Sequence, residues 1–332
     1  GLCCLFADNW TVLVYMAADN NLAQSGKQNL NEMESATQPE GLNLVVQADF
    51  PGERTKRYLI EQDSDPDNIT SHVVKNMDNT DSGDPDTLRD FVIWGRNRYP
   101  AERYMLVIWA HGDSWYKGNK WISPDDETSN LIGVANGELK SALAGTGKWD
   151  ILLFDACSMQ GVEIITEMQD LTDYVVASAD LVPATGFPYA QIIPLLHLSP
   201  SSVAEQIPEQ YQQSYLPGGV NNPSNQYLTT TCSAITTAGF SAFVQHWKSF
   251  CATLRSYSFE LAVIRADLFE MNTGYADVDL RQLLVRLSAI GIPGATALLD
   301  EWNNLILASA FTLPYPKTDI GTAAIWFPDS RY

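Results

Sequence analysis

Two runs of apolar residues, each ending at a chemically reactive side chain, constrain this chain more than any other feature. They are Tyr104-Met-Leu-Val-Ile-Trp-Ala-His111-Gly112 and Ile151-Leu-Leu-Phe-Asp155-Ala-Cys157. Short, almost wholly apolar runs rich in β-branched and aromatic residues predict strands buried on both faces. Such strands belong to parallel sheets covered by helices. In an open α/β sheet, ligands bind outside the carboxyl ends of neighbouring strands. A histidine and a cysteine at two such ends can meet as base and nucleophile, which suits acyl transfer by a thiolate.

The rest of the chain reads as strand and helix in alternation. Trp10 to Ala17 is a strand, followed by an Asp19-Asn20-Asn21 turn and a helix from about Leu22 to Glu34. Leu44 to Ala48 is a strand, and Arg57–Ile60 with His72–Lys75 suggests a hairpin. Asp84-Pro85-Asp86 opens a helix, with a capping carboxylate, proline at the first helical position and an acid in the first turn. Gly112 to Asn130 is polar and is expected to be a long exposed loop. A helix near Asn136–Leu143 leads to the Cys157 strand, and a further helix is expected from Ser158 to Met168. Tyr174–Ser178 is the next strand. The order predicts an α/β fold, with a mostly parallel sheet and helices on both faces. Later come a short strand near Leu228–Ser233, helices near Ser241–Ser256, Asp277–Leu287 and Thr296–Leu307, and a closing strand at Thr322–Phe327. The expected divisions are a disordered or processed terminus at 1–9, a catalytic domain at 10–215, a smaller C-terminal helical subdomain at 216–320, and the closing strand at 321–332.

Composition removes several function classes. The net charge of -20 argues against nucleic acid as a partner, since phosphate binding needs clustered Lys and Arg. No run of 18 or more apolar residues predicts a transmembrane helix. Five cysteines include no Cys-x-x-Cys pair and no zinc spacing, so no metal site is read from them. A Cys232–Cys251 disulfide is possible but has no support in the sequence.

At the two strand ends, a thiol placed at the start of a helix from Ser158 would be favoured as thiolate. The Cys157 and Gly112 amides are candidate oxyanion donors, the glycine because it lets a substrate carbonyl approach closely. His111 can carry the thiol proton and then protonate the leaving amine.

Further segments carry a resemblance. Val14-Tyr-Met-Ala-Ala-Asp-Asn-Asn-Leu22, Gly83-Asp-Pro-Asp-Thr-Leu-Arg-Asp-Phe91, Ile108-Trp-Ala-His-Gly112 and Asp150-Ile-Leu-Leu-Phe-Asp-Ala-Cys-Ser-Met159 resemble the clostripain family of cysteine peptidases, which belongs with caspases, legumains and gingipains. Val176-Ala-Ser-Ala-Asp180, Gly186-Phe-Pro-Tyr189 and Ala323-Ala-Ile-Trp-Phe-Pro328 extend it, so the resemblance spans Trp10 to Pro328. It implies a caspase-like three-layer sandwich, a Cys157–His111 dyad, and endopeptidase activity after Arg or Lys. It places Asp155, and in second rank Asp180, in the pocket for the basic side chain, where a carboxylate would make a charge-assisted contact. It further implies a bacterial enzyme, secreted or envelope-exposed, made as a zymogen and cut between His111 and Cys157. Lys117 and Lys120 are the candidate cleavage points. No cofactor is implied by a motif; calcium dependence occurs in some relatives, but the acidic Asp125-Asp126-Glu127 and 78–86 stretches lack EF-hand spacing. The chain departs from the family at Ala110 and at Asp113-Ser114-Trp115. The rival readings are a peptidase-like protein that binds peptides without cutting them, and a surface lipoprotein with Cys3 or Cys4 lipid-bearing.

Overall fold

The computed structural model describes residues 9–115, 120–271, 276–312 and 320–329. The strands in chain order are β1 (Trp10–Ala17), β2 (Asn43–Asp49), β3 (Lys56–Leu59), β4 (His72–Asn76), β5 (Arg103–Trp109), β6 (Trp121–Asp125), β7 (Asn130–Gly133), β8 (Trp149–Asp155), β9 (Thr172–Ala177), β10 (Thr231–Thr236), β11 (Glu270–Met271), β12 (Asp277–Asp279), β13 (Ile306–Phe311) and β14 (Ala324–Trp326). The helices are α1 (Ala23–Ser35), α2 (Pro85–Arg98), α3 (Glu138–Leu143), α4 (Val162–Met168), α5 (Tyr189–Ile192), α6 (Pro200–Tyr215), α7 (Phe240–Leu254), α8 (Ser258–Asp267), α9 (Leu280–Ala289) and α10 (Ala295–Leu305).

Nine strands form one sheet in the order β13-β10-β9-β8-β5-β1-β2-β3-β4. The five central strands are parallel, and β3, β4, β10 and β13 add antiparallel edges. Side chains alternate along each central strand between two cores, as a two-residue period demands. Leu13 and Tyr15 of β1, Leu106 and Ile108 of β5, and Leu152 and Phe154 of β8 face the layer built from α2, α3, α4 and α7 to α10. Val12 and Val14, Met105 and Val107, and Ile151 and Leu153 face α1, α5 and α6. This is the caspase-like three-layer sandwich, and the double-sided burial explains why these strands are apolar without interruption. Residues 216–320 contribute β10 and β13 to the same sheet and α7 to α10 to the same core.

Two local expectations are corrected. Residues 121–133 are not an exposed loop: β6 and β7 pair antiparallel, with Ile122, Ser123, Asp125 and Ile132 buried. The register shifts between Ile122 and Asp125, around Ser123 at φ 58° and Pro124, which erased the alternating pattern a strand would show. The helix after Cys157 does not begin at Ser158. Ser158 is left-handed at φ 57°, and α4 starts only at Val162. Cys232 is buried in β10 and Cys251 is exposed on α7; both are free.

Candidate active site

Strands β5 and β8 run parallel with Trp109 opposite Asp155. The Ala110 N–H donates to the Asp155 carbonyl (3.1 Å), which extends the pairing one residue further. His111 and Cys157 each lie two residues past this matched pair, so they leave the sheet edge at the same level. Both line one cleft of about 290 Å³, together with Asn21, Leu22, Trp109, Asp155 and the 182–186 segment.

Gly112 is where the two strand ends touch. A Cβ there would sit 2.5 Å from the Cys157 carbonyl oxygen and 3.1 Å from the Ala156 methyl. Glycine is therefore required for the close approach of the two chain segments that carry His111 and Cys157. The bonds flanking Gly112 are donated by Asp113 N–H to the Trp121 carbonyl and by Ser123 N–H to the His111 carbonyl. The Gly112 amide takes no part in that ladder.

The imidazole is held from the far side. His111 Nε2 lies 2.6 Å from Asn21 Oδ1. An amide oxygen only accepts, so Nε2 carries the proton and Nδ1 keeps its lone pair. Asn21 follows β1, the sheet neighbour of β5. Sequence reasoning placed it in a turn and missed this role; the signal was its position at a third adjacent strand end. Burial lowers the His111 pKa from its ordinary value, against a smaller opposing effect of Asp126. The ring is neutral near pH 7.

Cys157 sits in the mouth of the 178–188 loop. The Val182 N–H points at Sγ (3.3 Å), and Sγ lies 3.7 Å from the Val182 carbonyl. The segment that follows is fixed by Ser158 N–H to the Asp180 carbonyl (3.0 Å) and Gln160 N–H to the Ser178 carbonyl (2.9 Å). Burial pushes the thiol pKa up, the Val182 N–H opposes it, and Asp155, Asp180 and Asp113 add to the rise. The expected helix-terminus activation is therefore absent, because the left-handed Ser158 separates the thiol from a seven-residue helix. The resting pair is thiol and neutral imidazole.

Asp155 lies in the cleft wall and is 4% exposed. Its Oδ2 accepts from Phe187 N–H (3.1 Å) and Tyr189 O–H (2.7 Å). Burial raises it to about 6, with those two donors pulling the other way. Gly186 closes over it at φ 68°, and a Cβ there would meet Asp155 Oδ2 at 2.7 Å. Asp180 is not among the cleft-lining residues; its carboxylate accepts from the Leu181 N–H (2.7 Å). Lys120 pairs with Asp113 at 3.0 Å, and its side chain is only 11% exposed. Lys117 lies outside the described residues.

Known proteins resemble this arrangement. A relative named clostripain, from Hathewaya histolytica, is 29% identical over 220 residues, covering 55% of this chain and 41% of that protein. The match thus spans about two-fifths of that relative's length. Several solved structures share the fold. A secreted C11 cysteine protease from Bacteroides thetaiotaomicron, in complex with an irreversible peptide inhibitor, superposes with a TM-score of 0.77 at 24% identity, covering 97% of this chain and 93% of that one. An inactive zymogen C11 protease from Parabacteroides distasonis gives 0.74 at 23%, covering 97% and 92%. The sequence pattern of the clostripain family matches residues 14–260, most of the chain, and the chain belongs to that family of cysteine peptidases.

Proposed function

We propose that the chain is a cysteine endopeptidase that cuts after Arg or Lys. The observation that carries the reading is one cleft lined by Cys157, His111 and the buried carboxylate of Asp155. Cys157 Sγ attacks the scissile carbonyl carbon while its proton passes to His111 Nδ1. The oxyanion forms at the Gly112 and Cys157 amides, where fixed donors stabilise developing charge most. Collapse breaks the C–N bond, and the departing amine takes the proton from His111. Water then attacks the thioester, gives a proton to His111 and releases the acid; the thiolate recovers that proton. Because the resting pair is neutral, His111 works as a general base during attack rather than through a pre-formed thiolate.

The basic preference is supported by Asp155. Both of its hydrogen bonds fall on Oδ2. A guanidinium or ammonium reaching Oδ1 would supply the counter-charge that this buried carboxylate lacks. Asp180 remains a weaker candidate, acting only if the 178–188 loop moves. Maturation between His111 and Cys157 is part of the proposal, in keeping with the zymogen state of one structural neighbour. Lys117 is preferred over Lys120, whose ion pair would have to open first. Secretion or envelope exposure follows from the same kinship, and no helix among the described residues is long and apolar enough to cross a membrane.

The test is labelling with a peptidyl electrophile carrying Arg or Lys next to the warhead, beside fluorogenic peptides of the same sequence. Wild type is expected to label and turn over; Cys157→Ala is expected to do neither. Labelling that survives Cys157→Ala sinks the nucleophile assignment. Turnover of acidic or apolar peptides in preference to basic ones sinks the specificity.

A further inference from the structure

One row of side chains crosses the outer strands of the sheet on the face covered by α2. Gln47 of β2 stands opposite Arg57 of β3, and Arg57 stands opposite Lys75 of β4. Directly paired residues share a face, so two cations are neighbours there, and like charges so placed repel. Arg57 Nε donates to Gln47 Oε1 (2.8 Å), and the guanidinium carbon lies 4.4 Å from the centroid of the Trp94 ring. Arg57 is 3% exposed and Gln47 1%. Arg57 Nη1 and Gln47 Nε2 are buried donors with no hydrogen-bond partner among the described residues. No ion pair of the described residues includes Arg57 or Lys75. Burial lowers the Arg57 pKa to about 10, with Asp90 and Tyr15 opposing. Unpaired buried donors and an uncompensated buried cation are both costly.

These three residues line a cavity of about 320 Å³, closed on the other side by Asp90, Ile93 and Trp94 of α2 and by Met77. That volume lies at the lower end of ligand sites, about 300–1,000 Å³. Asp90 is the only carboxylate among the described lining residues, so Arg57 and Lys75 leave one positive charge uncompensated in a chain whose net charge is -20. We propose that this cavity binds a carboxylate on a short hydrocarbon stem or ring, borne by a free organic acid or by an acidic peptide side chain. Its oxygens meet Arg57, Gln47 and Lys75, and its stem rests on Trp94, Ile93 and Met77. A carboxylate offers two acceptor oxygens in one plane, the shape that a guanidinium matches. Its single charge equals the surplus of the site, whereas a phosphate dianion exceeds it. Stacking on Trp94 orients the guanidinium before any ligand arrives, which lowers the ordering cost of binding.

The cavity is separate from the Cys157–His111 cleft. β3 lies three strands from β5 in the sheet order, and no residue lines both cavities. Carboxylate binding therefore stands apart from the peptidase reading and is measured without turnover. Gln47, Arg57 and Lys75 become a row only through strand pairing, which is why no motif announces them.

The experiment uses the full chain carrying Cys157→Ala, titrated calorimetrically at constant ionic strength with sodium benzoate. Benzamide, inorganic phosphate and an amidated, acetylated tripeptide with a central glutamate are run beside it. One saturable benzoate site is expected, with a thermal midpoint raised by about 2 °C at a tenfold excess over Kd. Lys75→Gln is expected to weaken binding at least threefold and Arg57→Gln at least tenfold, while Asp90→Asn, which removes a competing charge, tightens it. Tighter binding of the tripeptide than of benzoate supports the proposal with a peptide as the source, and the reverse order supports it with a free acid. Absence of saturable heat and of any thermal shift with both carboxylates overturns the proposal, as does binding unaffected by Lys75→Gln or equal binding of benzamide. Tighter binding of phosphate overturns the choice of a carboxylate. Should Arg57→Gln fail to fold, Lys75→Gln, at an exposed position, decides.

Discussion

Asn21 is the residue on which the orientation of the His111 ring depends. With Nε2 donating to Asn21 Oδ1, the lone pair stays on Nδ1, the nitrogen that the proposed mechanism uses as base. Asn21→Ala leaves the ring free to rotate and to change tautomer, so kcat is expected to fall about tenfold to a hundredfold with KM little changed. Asn21→Asp keeps an acceptor and should recover part of kcat. Its added carboxylate favours the imidazolium, so the acid limb of the pH–rate profile should move to higher pH. A mutant limb that stays in place, or a loss carried wholly by KM, would assign Asn21 to substrate binding instead. That Cys157 and His111 share one cleft was legible because reactive side chains stood at the ends of apolar runs. The positioning residue was not, since an Asp-Asn-Asn turn after a strand reads equally well as a cap. Nor was the thiol's environment: the sequence predicts a helix from Ser158, and nothing in it marks the left-handed residue at that junction.

Among the elements, α2 shows how local signals and tertiary packing agree. Asp84 accepts from Asp86 N–H at 2.9 Å, and Pro85 opens the helix. Gly95 lies against the Leu13 side chain, 2.7 Å from where a Cβ would stand, so the helix packs close on β1. Arg96 fits between the rings of Tyr104 and Trp149, 4.0 Å from each centroid, tying the helix to β5 and β8. Asp84→Ala removes the cap and is expected to cost about 1 kcal/mol, a fall of about 2 °C in thermal midpoint. Peptidase activity at 25 °C should be unchanged; a loss of activity without the thermal shift would mean the cap serves the site rather than the helix. Elements like α2 and the five parallel strands were legible because cap chemistry and unbroken burial both write themselves into sequence. The β6–β7 hairpin was not, because its bulge at Ser123 and Pro124 breaks the alternation while the partner strand supplies the hydrogen bonds. The acidic hairpin end was read as a solvated loop for the same reason, and Asp125 is buried.

Across the whole molecule, five buried carboxylates share one electrostatic condition. Burial raises Asp155, Asp277 and Asp279 to about 6, and Glu32 and Glu163 to about 7. In the unfolded chain the same groups titrate near 4. Between those limits the folded chain binds more protons than the unfolded one, so stability falls as pH rises. The contribution is fully present below about pH 4 and is lost progressively as the folded-state values near 6 and 7 are passed. Repulsion acts in the same direction, because the chain carries a net charge of -20 once its acids are ionised. Glu53 and Asp65 are shifted downward and oppose the trend, but both lie at the surface, where solvent screens them. In EDTA, the thermal midpoint is therefore expected to be several degrees higher at pH 5.5 than at pH 8, and urea midpoints should follow the same order. Glu163→Gln removes one contributor, which sits on α4 accepting from the Trp326 N–H and is not among the cleft-lining residues, and should flatten the slope without moving the pH–rate profile. A midpoint that is level or rises from pH 5.5 to pH 8 would show that the buried acids keep counter-charges in solution.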